Sequence, residues 1–305
     1  MLYHIALPLL TLVGSALGSL LPTKRATVCN GNAALCSRSY GNTTFMGAHD
    51  SFAFSDDPLA LARDQEVDIP TQLGLGVRLL QAQAHLNDGV IHFCHTSCDL
   101  FDGGAVLDYL TTVKTWLDAN PSEVLTLLFT NPEGLSIPDV WAPAFEQSGI
   151  ASLAYTPSMN PMPQSAWPTL GSMIDAGTRV VVFLDAGADG SDGGVVPYIL
   201  PEFTMIWETP FSVTDASFPC SVDRIDGSPA DHMYLINHSL NIDIFGIIIS
   251  DPEQAGTTNG VASILANANG CVPLSQGNRL PSFVLLDFVN IGAGLQAVNQ
   301  LNGLA

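Results

Sequence analysis

The 305-residue chain carries 29 acidic against 9 basic side chains, a formal charge of −20, and is 47% apolar but only 12% charged. That balance excludes a disordered chain and permits one large core. The negative field repels nucleic acid and anionic bilayers, and favours neutral or cationic partners or work at acidic pH.

The chain opens on an uncharged apolar run, Ile5 to Leu17, shorter than the roughly 20 residues of a membrane span. Ala16-Leu17-Gly18 is a small-x-small ending, so residues 1–18 are expected to be a signal peptide. Residues 19–25 then read as a short propeptide closed by the dibasic pair Lys24-Arg25, with a mature start at Ala26. Removing them takes the formal charge from −20 to about −22. No second run reaches membrane length, and the carboxyl end lacks a lipid-anchor tail. The expectation is a secreted monomer with no stable membrane anchor.

All six cysteines follow the leader, an even count that reads as three disulfides among fifteen possible pairings. Loop closure favours Cys29–Cys36 and Cys94–Cys98, leaving Cys220–Cys271. No CxxC pair supports a zinc site. Asn42-Thr43-Thr44 and Asn237-His238-Ser239 are glycosylation sequons.

From residue 26 onward no repeat or long linker divides the chain, and one domain over 26–305 is expected. Short apolar runs end repeatedly in a polar residue. Thr44–Ala48 ends at His49 and Asp50, Val77–Leu80 near Gln81 and Gln83, Val90–Cys94 at His95, and Val124–Phe129 at Thr130 and Asn131. Val180–Leu184 ends at Asp185, Phe203–Trp207 at Glu208, Met233–Ile236 at Asn237 and His238, and Phe283–Leu286 at Asp287. Runs of this kind are buried on both faces, as in parallel sheets. Helices are expected over Pro58–Leu75, Ala105–Ala119, Thr258–Ala268 and Gly294–Leu301. Eight strands alternating with helices predict an α/β fold, a (β/α) TIM-like barrel that is irregular or incompletely closed, with the site at the carboxyl ends of the strands. A doubly wound sheet is the alternative, but no GxGxxG follows the first strand.

Three strand ends carry chemistry. His49 beside Asp50 can exchange a proton near neutrality. His95 sits between Cys94 and Cys98, where a short disulfide loop would fix its aim; alternation puts His92 on the other face. In a closed barrel the last strand adjoins the first, so Asp287 would reach His49 and orient it. Two histidines and a carboxylate suit cleavage of a phosphodiester. Asn131, Asp185, Trp207 and Glu208 are candidate pocket residues; for Trp207 the competing role is core packing.

The order of these pieces resembles the X domain of phosphatidylinositol-specific phospholipase C, in particular its fungal secreted PLC-like phosphodiesterase branch. The resemblance rests on Gly47-Ala48-His49-Asp50-Ser51, on Gln72 to Arg78, on His92 to Cys98, and on Leu117 to Val124 with its Asn120-Pro121-Ser122-Glu123 core. It implies His49 as general base, His95 as general acid, supporting roles for Asp50 and Asp287, and a phosphoinositide or related phosphodiester as substrate. Two positions depart from the family. Where its members place metal-ligating acids or a phosphate-binding arginine, this chain has Gln81 and Gln83. Each charged donor so lost is worth about 10²–10³ in rate. No cofactor or metal is expected, although Asp50, Glu208 and Asp287 could gather into an acidic site. Alternation points Arg78 away from Gln83. The competing functions are a catalytically impaired barrel that binds lipid or glycan, and a glycoside hydrolase using Glu208 and Asp287.

Overall fold

A computed structural model describes Met1 and residues 25–304. The expected signal peptide beyond Met1, and the propeptide up to Lys24, lie outside the described residues. The elements in chain order are β1 (Phe45–Ala48), α1 (Ile69–Gly74), β2 (Val77–Asn87), β3 (Val90–Cys94), β4 (Asp102–Ala105), α2 (Val106–Ala119), β5 (Leu125–Thr130), α3 (Ala142–Gln147) and α4 (Leu170–Ala176). They continue with β6 (Val180–Leu184), β7 (Ile199–Pro201), β8 (Ile206–Glu208), β9 (Met233–Asn237), β10 (Asn241–Ile244), β11 (Ile247–Ser250), α5 (Ala255–Thr258), α6 (Val261–Cys271), β12 (Phe283–Leu286) and α7 (Gly294–Leu301).

Eight strands run parallel in the order β7-β6-β5-β2-β1-β12-β9-β8. The last strand pairs with the first, Gly47 opposite Leu285 and Ala48 opposite Leu286. No pairing joins β7 to β8 among the described residues, so the barrel is open along that seam. Alternation builds two layers from each strand. Phe45, Leu79, Leu128, Phe183, Leu235 and Leu285 fill the barrel interior. Their neighbours Met46, Leu80, Phe129, Leu184, Ile236 and Leu286 pack under the helices. The amino-terminal end is plugged by Tyr40, whose hydroxyl meets Thr126 Oγ1 at 2.7 Å.

Arg78 lies on the outer face, bound to Glu123 at 2.8 Å and to the Leu73 carbonyl, with its guanidinium over Trp116. It is structural and does not reach the barrel interior. The cysteines pair as Cys29–Cys36, Cys94–Cys98 and Cys220–Cys271.

Three expectations are corrected. Val90–Cys94 is not a barrel strand: it folds back antiparallel on β2, with Ala84 opposite Phe93. Asp88 and Gly89 both have positive φ (48° and 83°), the two-residue hairpin turn that Asp-Gly favours. The eighth parallel strand is instead β7, only three residues long. The helix expected over Pro58–Leu75 is confined to Ile69–Gly74, because Asp68 caps it by accepting from Thr71 N at 3.0 Å. Residues 58–68 form a loop whose Arg63, Asp64 and Gln65 are buried. The helix expected from Thr258 is split into α5 and α6 around Gly260, where a Cβ would meet the Thr257 carbonyl oxygen at 2.9 Å.

Candidate active site

β1 and β12 deliver His49 and Asp287 side by side. The His49 amide donates to the Leu286 carbonyl at 2.9 Å, continuing the ladder one residue past the strand. His49 Nδ1 lies 2.8 Å from Asp287 Oδ1. A carboxylate there makes Nδ1 the protonated nitrogen, which leaves Nε2 as the one that can meet a substrate. Gln65, fully buried, donates to the His49 and Leu286 carbonyls at 2.8 and 3.1 Å and accepts from Val289 N at 3.1 Å. It ties the two strand ends together.

His95 comes from the loop after β3. The Cys94–Cys98 disulfide and the His95 amide bond to the Phe101 carbonyl, 3.0 Å, hold that loop. Its Nδ1 donates to the Ala62 carbonyl at 2.8 Å and lies 3.2 Å from Asp64 Oδ2. Between the two rings stands Asp50. Its Oδ2 is 4.0 Å from His49 Nε2 and 3.7 Å from His95 Nε2. Asp50 adopts φ 33°, held there by its amide bond to Gln81 Oε1 at 2.7 Å.

Ser250, at the end of β11, joins the two supports of the histidines. Its hydroxyl bonds both Asp64 Oδ1 and Asp287 Oδ2. One hydroxyl has one proton, so one of the two carboxyl groups must donate in turn. Burial, reinforced by the Asp287 charge, pushes Asp64 up to about 7. Burial opposes a charge on His49, but Asp287, Asp50 and Asp64 outweigh it and push the imidazole up to about 10. His95 is raised in the same way: burial works against its charge, and Asp64 and Asp50 overcome it.

A pocket of about 210 Å³ opens beside His49 and Asp50 at the carboxyl ends of the strands. Gln81, Gln83, Asp185 and Glu208 all line it. Gln83 accepts from Thr96 N at 2.7 Å through Oε1, which leaves its NH2 group as the donor for a ligand. Asp185 accepts from Asn131 N at 2.7 Å, and burial raises its pKa. Glu202 is raised well above the usual carboxylate range by burial and then by Glu208.

Three sequence candidates are corrected. Trp207 faces outward and stacks on Tyr234 with ring centroids 4.4 Å apart, because alternation puts Glu208, not Trp207, inside. Asn131 turns away to brace its own loop, donating to the Leu135 carbonyl and accepting from Leu135 N. Asn237 is buried and donates to the Thr209 carbonyl at 2.8 Å, so its amide is closed to a glycan; Asn42 is exposed. His92 points to solvent against Asp102.

The sequence pattern does not single out Asp64, Gln65, Ser250, Glu202 or Arg224. The first two lie in the stretch expected to be helix, and Ser250 lies in a hairpin outside the expected strands. Arg224 comes from the long loop between β8 and β9 and lines the same pocket, paired with Glu208. Among the described residues it is the one arginine or lysine lining this pocket.

Comparison with known proteins bears on the family and the fold. The PI-PLC X model (PI-PLC X 1) matches residues 35–302. The chain belongs to the PI-PLC X family. It is 44% identical over 292 residues to "PI-PLC X domain-containing protein 1" of Arthroderma benhamiae, covering 94% of this chain and 93% of that one. It is 42% identical over 275 residues to an "Uncharacterized secreted protein" of the same fungus, covering 87% of this chain and 60% of that one. The phosphatidylinositol-specific phospholipase C of Listeria monocytogenes superposes with a TM-score of 0.54 at 16% identity, over 88% of this chain and 94% of the other. That of Staphylococcus aureus gives 0.58 at 16%, over 87% and 94%. These two solved structures share the fold.

The protonation of the cluster sets a stability trend. The native state holds a proton on Asp64 up to about pH 7 and on His49 up to about pH 10, whereas unfolded groups release theirs near 3.8 and 6.5. Stability from both is present at low pH and lost as pH rises. Thermal melts should therefore show Tm falling from pH 5 to pH 9, and Asp64→Asn should flatten the part below pH 7. A Tm that rises over this range would contradict the assignment.

Proposed function

We propose that this chain is a secreted phosphodiesterase that cleaves a lipid-borne phosphodiester, a phosphoinositide or a glycosylphosphatidylinositol, by attack of a neighbouring hydroxyl. The observation that carries the reading is the Asp287–His49 pair facing His95 across Asp50. His49 Nε2 takes the proton of the substrate hydroxyl as its oxygen attacks phosphorus. His95 Nε2 gives its proton to the leaving oxygen, and a cyclic phosphodiester results. Water can open that ring with the roles reversed. Asp287 holds the imidazolium formed on His49, and Asp50 and Asp64 keep His95 protonated until it is needed. The Gln83 amide and Arg224 are the donors near the phosphate. Asp287 spends one oxygen on His49 and the other on Ser250, and Glu208 is paired with Arg224. Glu208 and Asp287, the pair a glycosidase reading would use, are thus both engaged elsewhere.

A lipid substrate is supported by the β10–β11 hairpin beside the site. Phe245 is fully exposed at its tip, flanked by Ile247 at 66% and Ile248 at 42% exposure. Leu59 and Leu61, on the loop that also carries Asp64, are exposed too. A patch of this kind fits a neutral lipid surface, since the net charge of −20 repels an anionic one. Secretion is supported by the three disulfides and by the fungal relative named as secreted. The Ala26 nitrogen lies 2.7 Å from Asp175 Oδ1, so processing after Arg25 would set a free ammonium against that carboxylate. Asn42 is the proposed glycan site.

Purified protein should cleave phosphatidylinositol or a soluble inositol phosphodiester in the presence of chelator. His49→Ala and His95→Ala should each lower kcat/KM by about 10²–10⁴. The kcat/KM should climb with pH beyond neutrality, because His49, pushed up to about 10, must lose its proton to act as base. Folded protein that cleaves neither substrate at any pH would shift the reading to a binding role. Phe245→Ser should slow cleavage of vesicle-borne substrate about tenfold, the worth of one lost aromatic anchor, and spare the soluble one. Equal loss on both would remove the docking role. The secreted protein should begin at Ala26 on amino-terminal sequencing; any other start would refute processing after Arg25.

A further inference from the structure

We infer that His49, Asp50 and Asp64 form a binding site for one divalent transition-metal ion of the zinc class, and that its occupancy switches the site off. One imidazole nitrogen and two carboxylate oxygens from these residues all lie within 4.8 Å of one another. Tetrahedral zinc with nitrogen and oxygen ligands at about 2.0–2.2 Å needs ligand atoms about 3.4 Å apart, so a small contraction closes the set. His49 Nε2 and Asp50 Oδ2 start 4.0 Å apart. A water completes the tetrahedron.

Independent observations point to a cation. Asp50 and Asp64 are 3% and 1% exposed. Asp50 Oδ1 has no hydrogen-bond partner, and Asp64 Oδ2 has only the His95 imidazole, 3.2 Å away. A buried carboxylate oxygen without a donor is costly unless a cation meets it. Among the described residues no lysine or arginine pairs with Asp50, Asp64 or Asp287; their ion pairs are all with histidine. His49 also has the outer support of a metal-bound histidine, since its other nitrogen faces Asp287 and fixes the ring.

The donor set selects the ion. One imidazole and two carboxylates suit zinc, cobalt or manganese. Calcium needs six to eight oxygens, which this crowded, buried cluster does not offer. The consequence for the reaction follows from one atom: the Nε2 lone pair of His49 that would bind the ion is the one that would take the substrate proton. Metal and turnover are then mutually exclusive.

The test uses chelator-treated, full-length secreted protein and zinc chloride followed by calorimetry, without substrate, so that it stands whether or not the chain is catalytic. One equivalent should bind, and a hundredfold excess of calcium should not displace it. His49→Ala and Asp64→Asn should each weaken binding at least tenfold, whereas His92→Ala, which removes the exposed His92–Asp102 pair, should leave it unchanged. Cobalt added to the unmodified protein should give the intense visible bands of a tetrahedral site, a readout that needs no variant to fold. On protein that cleaves phosphodiesters, one equivalent of zinc should lower the rate at least tenfold, and chelator should restore it. No binding, binding lost with His92→Ala or kept in His49→Ala, an octahedral cobalt spectrum, or activation by zinc would each overturn the inference.

Discussion

The parallel pairing of β1 with β12 brings residue 49 to residue 287, 238 positions apart, and the site depends on it. The ladder continues from Ala48–Leu286 into the His49 amide, and the fully buried Gln65 amide then clamps both strand ends. The imidazole is thereby aimed by backbone geometry before any substrate arrives. Preorganisation of this kind lets a site stabilise charge without reorganising. The second histidine is aimed by different means, a disulfide loop on a hairpin that leaves the barrel. Rigid elements on both sides therefore converge on Asp50.

Around that convergence the charge is one-sided. Asp50, Asp64 and Asp287 surround two imidazoles, and the nearest cation lining the pocket, Arg224, is paired with Glu208. The histidines respond by holding protons more tightly, and Asp64 by keeping one at neutral pH. The same field favours a dication beside Asp50, whose Oδ1 has no partner. The pocket beside these rings is lined by the Gln81 and Gln83 amides and by the Arg224 guanidinium.

Ser250 links this interior to the surface. It ends β11 and bonds the carboxylates behind both histidines, while the other end of the same hairpin carries exposed Phe245, Ile247 and Ile248. The exposed apolar tip and the bridge between the two carboxyl groups are parts of one hairpin.

Short continuous apolar runs ending in His49, Gln81, Asp185, Glu208 and Asp287 determined the parallel barrel and the end at which the site lies, because burial on both faces is a local property of a strand. The short cysteine spacings likewise determined which loops could close. Local pattern misassigned Val90–Cys94, because a strand that extends the sheet and one that folds back on it share the same alternation. It could not tell Trp207 from Glu208 as pocket wall, since that depends on which face the register turns inward. Asp64, Ser250 and Arg224 carry no signal of their own: one lies in a loop with a helix-like composition, one in a hairpin, one in a long connection. Only the closed chain path brings them to the histidines, because contacts between residues 50, 64, 250 and 287 are set by tertiary packing and not by spacing along the chain.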